Sequence, residues 1–148
     1  MRIFDDLPDF RAANGMRGVD RPEILVVFVG QTECRLLRRL KKGFRHCFAA
    51  LRSGDRWIIC DSLKNQIEFS LFDLPYDFDL GEFYRDRGFT VIAGNGAAGA
   101  IANSILPEPL TCVTIVKRII GIRSFWTLTP WQLFRLLTSK KDDWRLVD

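Results

Sequence analysis

The chain contains a single histidine, His46, and no apolar run long enough to cross a membrane. Its longest continuous apolar stretch covers residues 24–29, where a spanning helix needs about 20. It has no C-x-x-C pair. With one histidine, Cys34, Cys47, Cys60 and Cys112 do not make up an ordinary zinc set. No metal or cofactor is therefore expected. The opening residues Met1-Arg2-Ile3-Phe4-Asp5-Asp6 carry acids and lack the apolar stretch of a signal peptide. Synthesis in the cytoplasm with reduced thiols is the expectation. Internal repeats and low-complexity tracts are absent. Neither sign of charge dominates: 22 basic residues meet 18 acidic ones, interspersed, for a net +4, which decides little about partners.

What is present reads as one globular domain spanning residues 1–148, with 47% apolar residues, 12 Phe and 4 Trp. Residues 1–22 look irregular, broken by Pro8, Asn14-Gly15 and Pro22. Residues 24–29 form a buried strand. Thr32 caps a predicted helix over 33–42, with Leu36, Leu37 and Leu40 on one face. Residues 44–51 and 56–63 form a hairpin around Ser53-Gly54-Asp55, and 67–72 alternate as a third antiparallel strand. Asp79 caps a helix over 80–87 that Gly88 ends, and a strand over 89–93 follows. Residues 94–110 form a long loop of functional or mobile type. A helix from Cys112 to near Gly121 comes next, then a helix opened by Thr129-Pro130. Residues 140–148 read as a charged tail. The fold class is α+β, with an antiparallel sheet packed against the Cys112 helix.

The chemistry centres on Cys112. It stands where the proline-bounded segment 107–111 gives way to the apolar helix. A thiol at a helix N-terminus meets the positive end of the helix dipole and unpaired N–H groups, both of which favour thiolate. Thiol catalysis also needs a base and a group to orient it. If the hairpin turns at Gly54-Asp55, residues whose numbers sum to about 109 face one another. Position 46 then lies opposite 63 and diagonal to 61, so Asp61 is the natural orienter of His46. Cys47 points to the opposite face and is a poor rival nucleophile. Cys34, Cys47 and Cys60 are expected as small buried hydrophobes. Each candidate also has a plainer role. A lone strand histidine is more often structural, Asp61 can cap a bend, and Cys112 can simply be buried.

This order of a strand His, a polar partner on the next strand and a later Cys at a helix start resembles the circularly permuted papain-like proteins. These include relatives of NlpC-type cell-wall hydrolases and the lecithin:retinol acyltransferase group. The resemblance spans residues 44–121 and rests on His46, Asp61 and Cys112. It implies a permuted papain-like fold and a Cys-His-Asp thiol hydrolase of amide bonds, with a peptide or cell-wall substrate. The acyltransferases carry an Asn-Cys-Glu-His-like signature where this chain has Thr111-Cys112-Val113-Thr114, which favours amide hydrolysis over lipid acyl transfer. The segments 43–48, 57–61, 111–117 and 129–133 also resemble small uncharacterised phage and prophage proteins. That second likeness implies a virion-associated or tail-associated role, as a peptidoglycan peptidase or amidase or as a structural component in contact with other virion proteins.

For the oxyanion hole, the Cys112 backbone N–H is the natural donor and Gln31 a candidate for the second. Six cations, Arg35, Arg38, Arg39, Lys41, Lys42 and Arg45, raise a third possibility, nucleic-acid binding. The leucines among them make a core-facing stripe, and a solvated helix face is the simpler reading. The letters Gly94-x-Gly96-x-x-Gly99 match a dinucleotide pattern, but Pro107 and Pro109 precede the next helix and the strand–turn–helix context is missing. Phe125, Trp126 and Trp131 are expected in the core rather than at an interface.

Overall fold

The structure, a computed structural model, describes residues 23–31, 35, 37–63, 66–95 and 109–148. The expectations for residues 1–22, for Cys34 and for positions 96–108 of the long loop lie outside these.

The apolar run becomes β1, Glu23–Val29. It has no polar alternation because both its faces are covered. Ile24, Val26 and Phe28 point into one core layer, and Leu25, Val27 and Val29 into the other. Each such side chain withdrawn from water contributes about 1.5–3 kcal/mol. β1 lies inside a six-stranded antiparallel sheet with β2 (His46–Ser53), β3 (Arg56–Leu63), β4 (Gln66–Asp73), β5 (Thr90–Asn95) and β6 (Trp144–Leu146). The order across the sheet is β4-β3-β2-β1-β5-β6. Helices α2 (Cys112–Ile119) and α3 (Pro130–Ser139) cover one face, where Val113, Val116, Leu133 and Leu137 meet Ile24, Val26, Phe28, Cys47 and Ala49. Helix α1 (Leu80–Asp86) covers the other, where Leu80 and Tyr84 meet Val27, Phe48, Ile59 and Val91. The class is α+β, with an antiparallel sheet against the Cys112 helix as expected.

The expected hairpin turns at Gly54-Asp55, and its register pairs Arg52 with Trp57 and Ala49 with Cys60. Both pairs sum to 109.

Three expectations are corrected. The helix over 33–42 is not formed in its described part: a single 3-10 turn, Leu37–Arg39, stands there, and 40–42 are not helical. The chain has to come back to lay His46 beside Val29. It does so through Gly43, at φ 89°, passing so close to Gly30 that a Cβ on Gly30 would lie 3.1 Å from the Gly43 Cα. A helix running to Lys42 would carry the chain past this crossing. The cations around it are divided in role: Arg38 and Arg39 are exposed, while Lys41 Nζ sits 3.1 Å from the ring centre of Trp131.

The charged tail also carries a strand, Trp144–Leu146, that the sequence does not announce. Trp144 is buried and β6 adds to the β5 edge, pairing Trp144 with Gly94. Gly94 makes this docking possible, since a Cβ there would lie 2.3 Å from the Trp144 ring. Gly94 and Asn95 thus end β5 rather than begin a loop. Finally, Phe125 and Trp126 are 50% and 80% exposed and do not belong to the core. The turn between α2 and α3 holds them outward. Trp131 is half-buried, stacked on Phe134 and packed edge-on against Phe44.

Candidate active site

Cys112 is the first residue of α2, as its surroundings in the sequence suggest. Thr111 is the N-cap: its Oγ1 accepts the Thr114 N–H at 3.2 Å. Thr114 Oγ1 in turn donates to the Pro109 carbonyl at 2.9 Å. These bonds hold the entry of α2 and fix where the sulfur emerges. The Cys112 N–H, at the first helical position, is one of the amides that an α-helix leaves without an internal partner.

His46 begins β2 and Asp61 lies near the end of β3. The His46 Nε2 and Asp61 Oδ1 atoms are 2.6 Å apart. Asp61 is only 1% exposed, and the His46 side chain 14%. The β2–β3 ladder runs from Ser53–Arg56 to Ala49–Cys60, while Asp61 and its successors continue against β4. The two strands part at this end, and the imidazole and carboxylate occupy the opening. Cys112 lies close enough to the imidazole for each group to shift the other's titration. With Nε2 engaged by Asp61, Nδ1 is the ring nitrogen left for the thiol. The three residues singled out from the sequence therefore lie together.

One contact was not foreseen. Strand alternation does send Cys47 to the face opposite Phe48, but that is the face α2 covers. Cys112 consequently packs against the Cys47 layer, and Cys47 is near enough to influence its thiol. His46 is the first residue of β2 and reaches Asp61 from there. Cys47 is a buried small residue as expected, yet it is also a neighbour of the candidate nucleophile. The signal lay in the pattern of β1 and β2: an apolar helix as long as α2 must cover one sheet face, and Cys47, Ala49 and Leu51 share one.

These neighbours set the proton positions. The Cys47 side-chain hydrogen bond is the largest influence on Cys112 and favours its thiolate. Burial works the other way. The hydrogen bond and charge of His46 and the Cys47 backbone bond tip the balance, and the Cys112 pKa falls from 9.0 to about 5. Burial is likewise the largest influence on His46 and disfavours its cation. The hydrogen bonds from Asp61 and Cys112, with their charges, outweigh it and lift the imidazole from 6.5 to about 10. The pair is thus held as thiolate and imidazolium. Burial raises the Cys47 thiol well above its ordinary value, and burial with the Asp61 charge lifts Cys60 to about 11. Cys112 is the acidic thiol of the three described.

Gln31 is exposed and lies just past β1, at the sheet end where Val29 pairs with His46. The other feature of note is a cavity of about 130 Å³ lined by Glu23, Arg52, Trp57 and Tyr76. It opens at the opposite end of the strands, because Ser53 rather than His46 ends β2 there. No helix among the described residues is long and apolar enough to cross a membrane.

No family model, curated protein or solved structure matches the chain.

Proposed function

We propose that the protein is a thiol-dependent hydrolase of amide or related acyl bonds, with Cys112 as nucleophile, His46 as acid and base, and Asp61 as the residue that positions His46. The observation that carries this reading is the buried 2.6 Å His46–Asp61 bond beside a Cys112 thiol whose pKa is lowered to about 5. A structural cysteine buried among apolar groups would be pushed the other way, as Cys47 is.

The steps follow from the positions. The Cys112 thiolate attacks the carbonyl carbon, and the oxyanion that forms takes a hydrogen bond from the Cys112 backbone N–H. Gln31 is the candidate for a second donor. The His46 imidazolium gives its proton to the leaving amine, and the carbon–nitrogen bond breaks to leave a thioester. Neutral His46 then takes a proton from water, which attacks the thioester and releases the acid. Asp61 keeps one ring nitrogen protonated throughout, so that the other faces the sulfur. The arrangement supports kinship with the permuted papain-like hydrolases, in which the His strand precedes the Cys helix. It is from that kinship that cell-wall peptide is the preferred substrate.

The test is cleavage of peptidoglycan and of simple peptide amides by the wild type beside Cys112→Ala. Loss of a nucleophile within such a unit typically costs several orders of magnitude in rate, with the fold retained. Equal cleavage by both proteins would remove the reading. A second reading, a non-catalytic component of a phage particle, is favoured by the exposed Phe69, Leu71, Phe125 and Trp126. It gains if no acyl substrate is turned over by the folded wild type.

A further inference from the structure

Cys47 has no part in the hydrolytic steps, yet it belongs to the core layer against which Cys112 packs, and each thiol shifts the other's titration. Both are free thiols. Cys47 is fully buried in the core layer that Val113 and Val116 of α2 complete. Cys112 packs against the same layer but is partly exposed. A partly exposed cysteine is thus backed by a fully buried one. A structural role asks only for a small apolar residue at position 47, which Ala49 and Ala50 supply in the same strand.

We propose that Cys47 is a resolving thiol: when a hydroperoxide oxidises Cys112, Cys47 closes a Cys47–Cys112 disulfide and so makes the oxidation reversible. In the first step the Cys112 sulfur attacks the peroxide, the O–O bond breaks, and one oxygen stays on sulfur as sulfenic acid. The other leaves as alcohol or water, taking the proton of the His46 imidazolium. Sulfur has lost two electrons and the peroxide has gained them. In the second step the Cys47 sulfur attacks the Cys112 sulfur and the S–O bond breaks. The oxygen departs as water with the proton of Cys47, and an S–S bond of about 2.05 Å replaces the contact. An external dithiol reverses this by exchange.

The burial that keeps Cys47 protonated also makes it unreactive toward peroxide, so oxidation begins at Cys112. The disulfide occupies the nucleophile and ties β2 to α2, which would silence a thiol hydrolase until it is reduced. The inference needs only an oxidisable Cys112 and does not depend on hydrolysis.

The experiment is treatment of the reduced, folded protein with hydrogen peroxide, alkylation of remaining thiols, and non-reducing peptide mapping by mass spectrometry. A Cys47–Cys112 linked peptide is expected as the main product, lost on adding dithiothreitol, with Cys60 still alkylated as a thiol. In Cys47→Ser, dimedone should trap Cys112 sulfenic acid in several-fold greater yield, and prolonged exposure should carry Cys112 to sulfinic acid. The proposal is overturned if wild-type Cys112 reaches sulfinic acid with no link to Cys47, or if trapping is equal in the two proteins. The wild-type map decides even if the variant folds poorly. It uses no substrate, so failure of the hydrolase reading would leave its result intact.

Discussion

The protonation of Cys112 and His46 can be measured without a substrate. Because the Cys112 pKa is depressed to about 5, its alkylation by iodoacetamide should stay fast as pH falls from 8 to about 6 and decline only on approaching about 5. A thiol left at the ordinary value of 9.0 would lose most of its rate over the same interval. Decline centred near 8 would show that the thiolate is not held. Raising the pH through about 10 discharges His46, so hydrolysis should follow a bell whose limbs belong to the pair rather than to either residue. Asp61→Asn keeps the shape but removes the charge from a hydrogen bond of the kind worth about 1.5–3 kcal/mol. At 1.4 kcal/mol per factor of ten, the Cys112 pKa rises by at most about one to two units, and its alkylation rate near pH 6 should drop about two- to tenfold. An unchanged rate would make Asp61 structural. Much of this trio was legible beforehand, because a hairpin with a two-residue turn has only one register. The sum of 109 that put Asp61 diagonal to His46 is the one Ala49 and Cys60 obey. The Cys47 contact was not legible from one hairpin, since it depends on which sheet face α2 chooses.

Among the elements, those with local punctuation were readable and those fixed by distant packing were not. Asp79, Thr111 and Thr129 each accept a backbone N–H at the start of their helix, and α3 adds a full capping box with Gln132. These are signals within four residues, and all three helices start where the sequence places them. β6 carries no such signal. Its place depends on Trp144 lying against Gly94, fifty positions upstream, where only the missing side chain leaves room. In its described part the helix expected over 33–42 failed for a related reason, since its leucine stripe is a local pattern and the return to β2 is a global demand. The Thr111 cap links stability to the site. Thr111→Ala removes the acceptor for the Thr114 N–H and should lower stability by about 1 kcal/mol. Denaturant unfolding should show a lower midpoint at unchanged slope. Because Cys112 follows the cap directly, its alkylation should slow as well. A stability loss with Cys112 reactivity untouched would mean that the sulfur is placed by the sheet alone.

At the scale of the whole molecule, covering both faces of one sheet leaves the strand ends and the outer strand as its open surfaces. The candidate site uses one end, at the seam between the two core layers, where His46 can meet Asp61 and Cys112 at once. The outer strand β4 shows the opposite outcome. Ile67, Phe69 and Leu71 alternate along it and point to the face that α2 covers over β2 and β3, yet they are 40%, 69% and 59% exposed. Their alternation announced a half-buried strand in the sequence, and it could not show that the covering helices stop short of β4. A pair of phenylalanines tests this division. Phe28, on β1, is wholly buried between Phe44 and Phe134, with ring centres 5.5 and 5.7 Å away. Phe28→Ala should therefore cost about 3–5 kcal/mol through lost burial and the cavity left behind. Phe69→Lys gives up little burial and should change stability by no more than about 0.5 kcal/mol. It also puts a charge on an exposed edge strand, a feature that discourages strand-to-strand association. Sedimentation or light scattering over a range of concentrations should show less self-association for Phe69→Lys than for wild type, while its unfolding midpoint stays in place. A large loss of stability in Phe69→Lys would show that β4 is covered in solution, and with it that the sheet has a partner on that side.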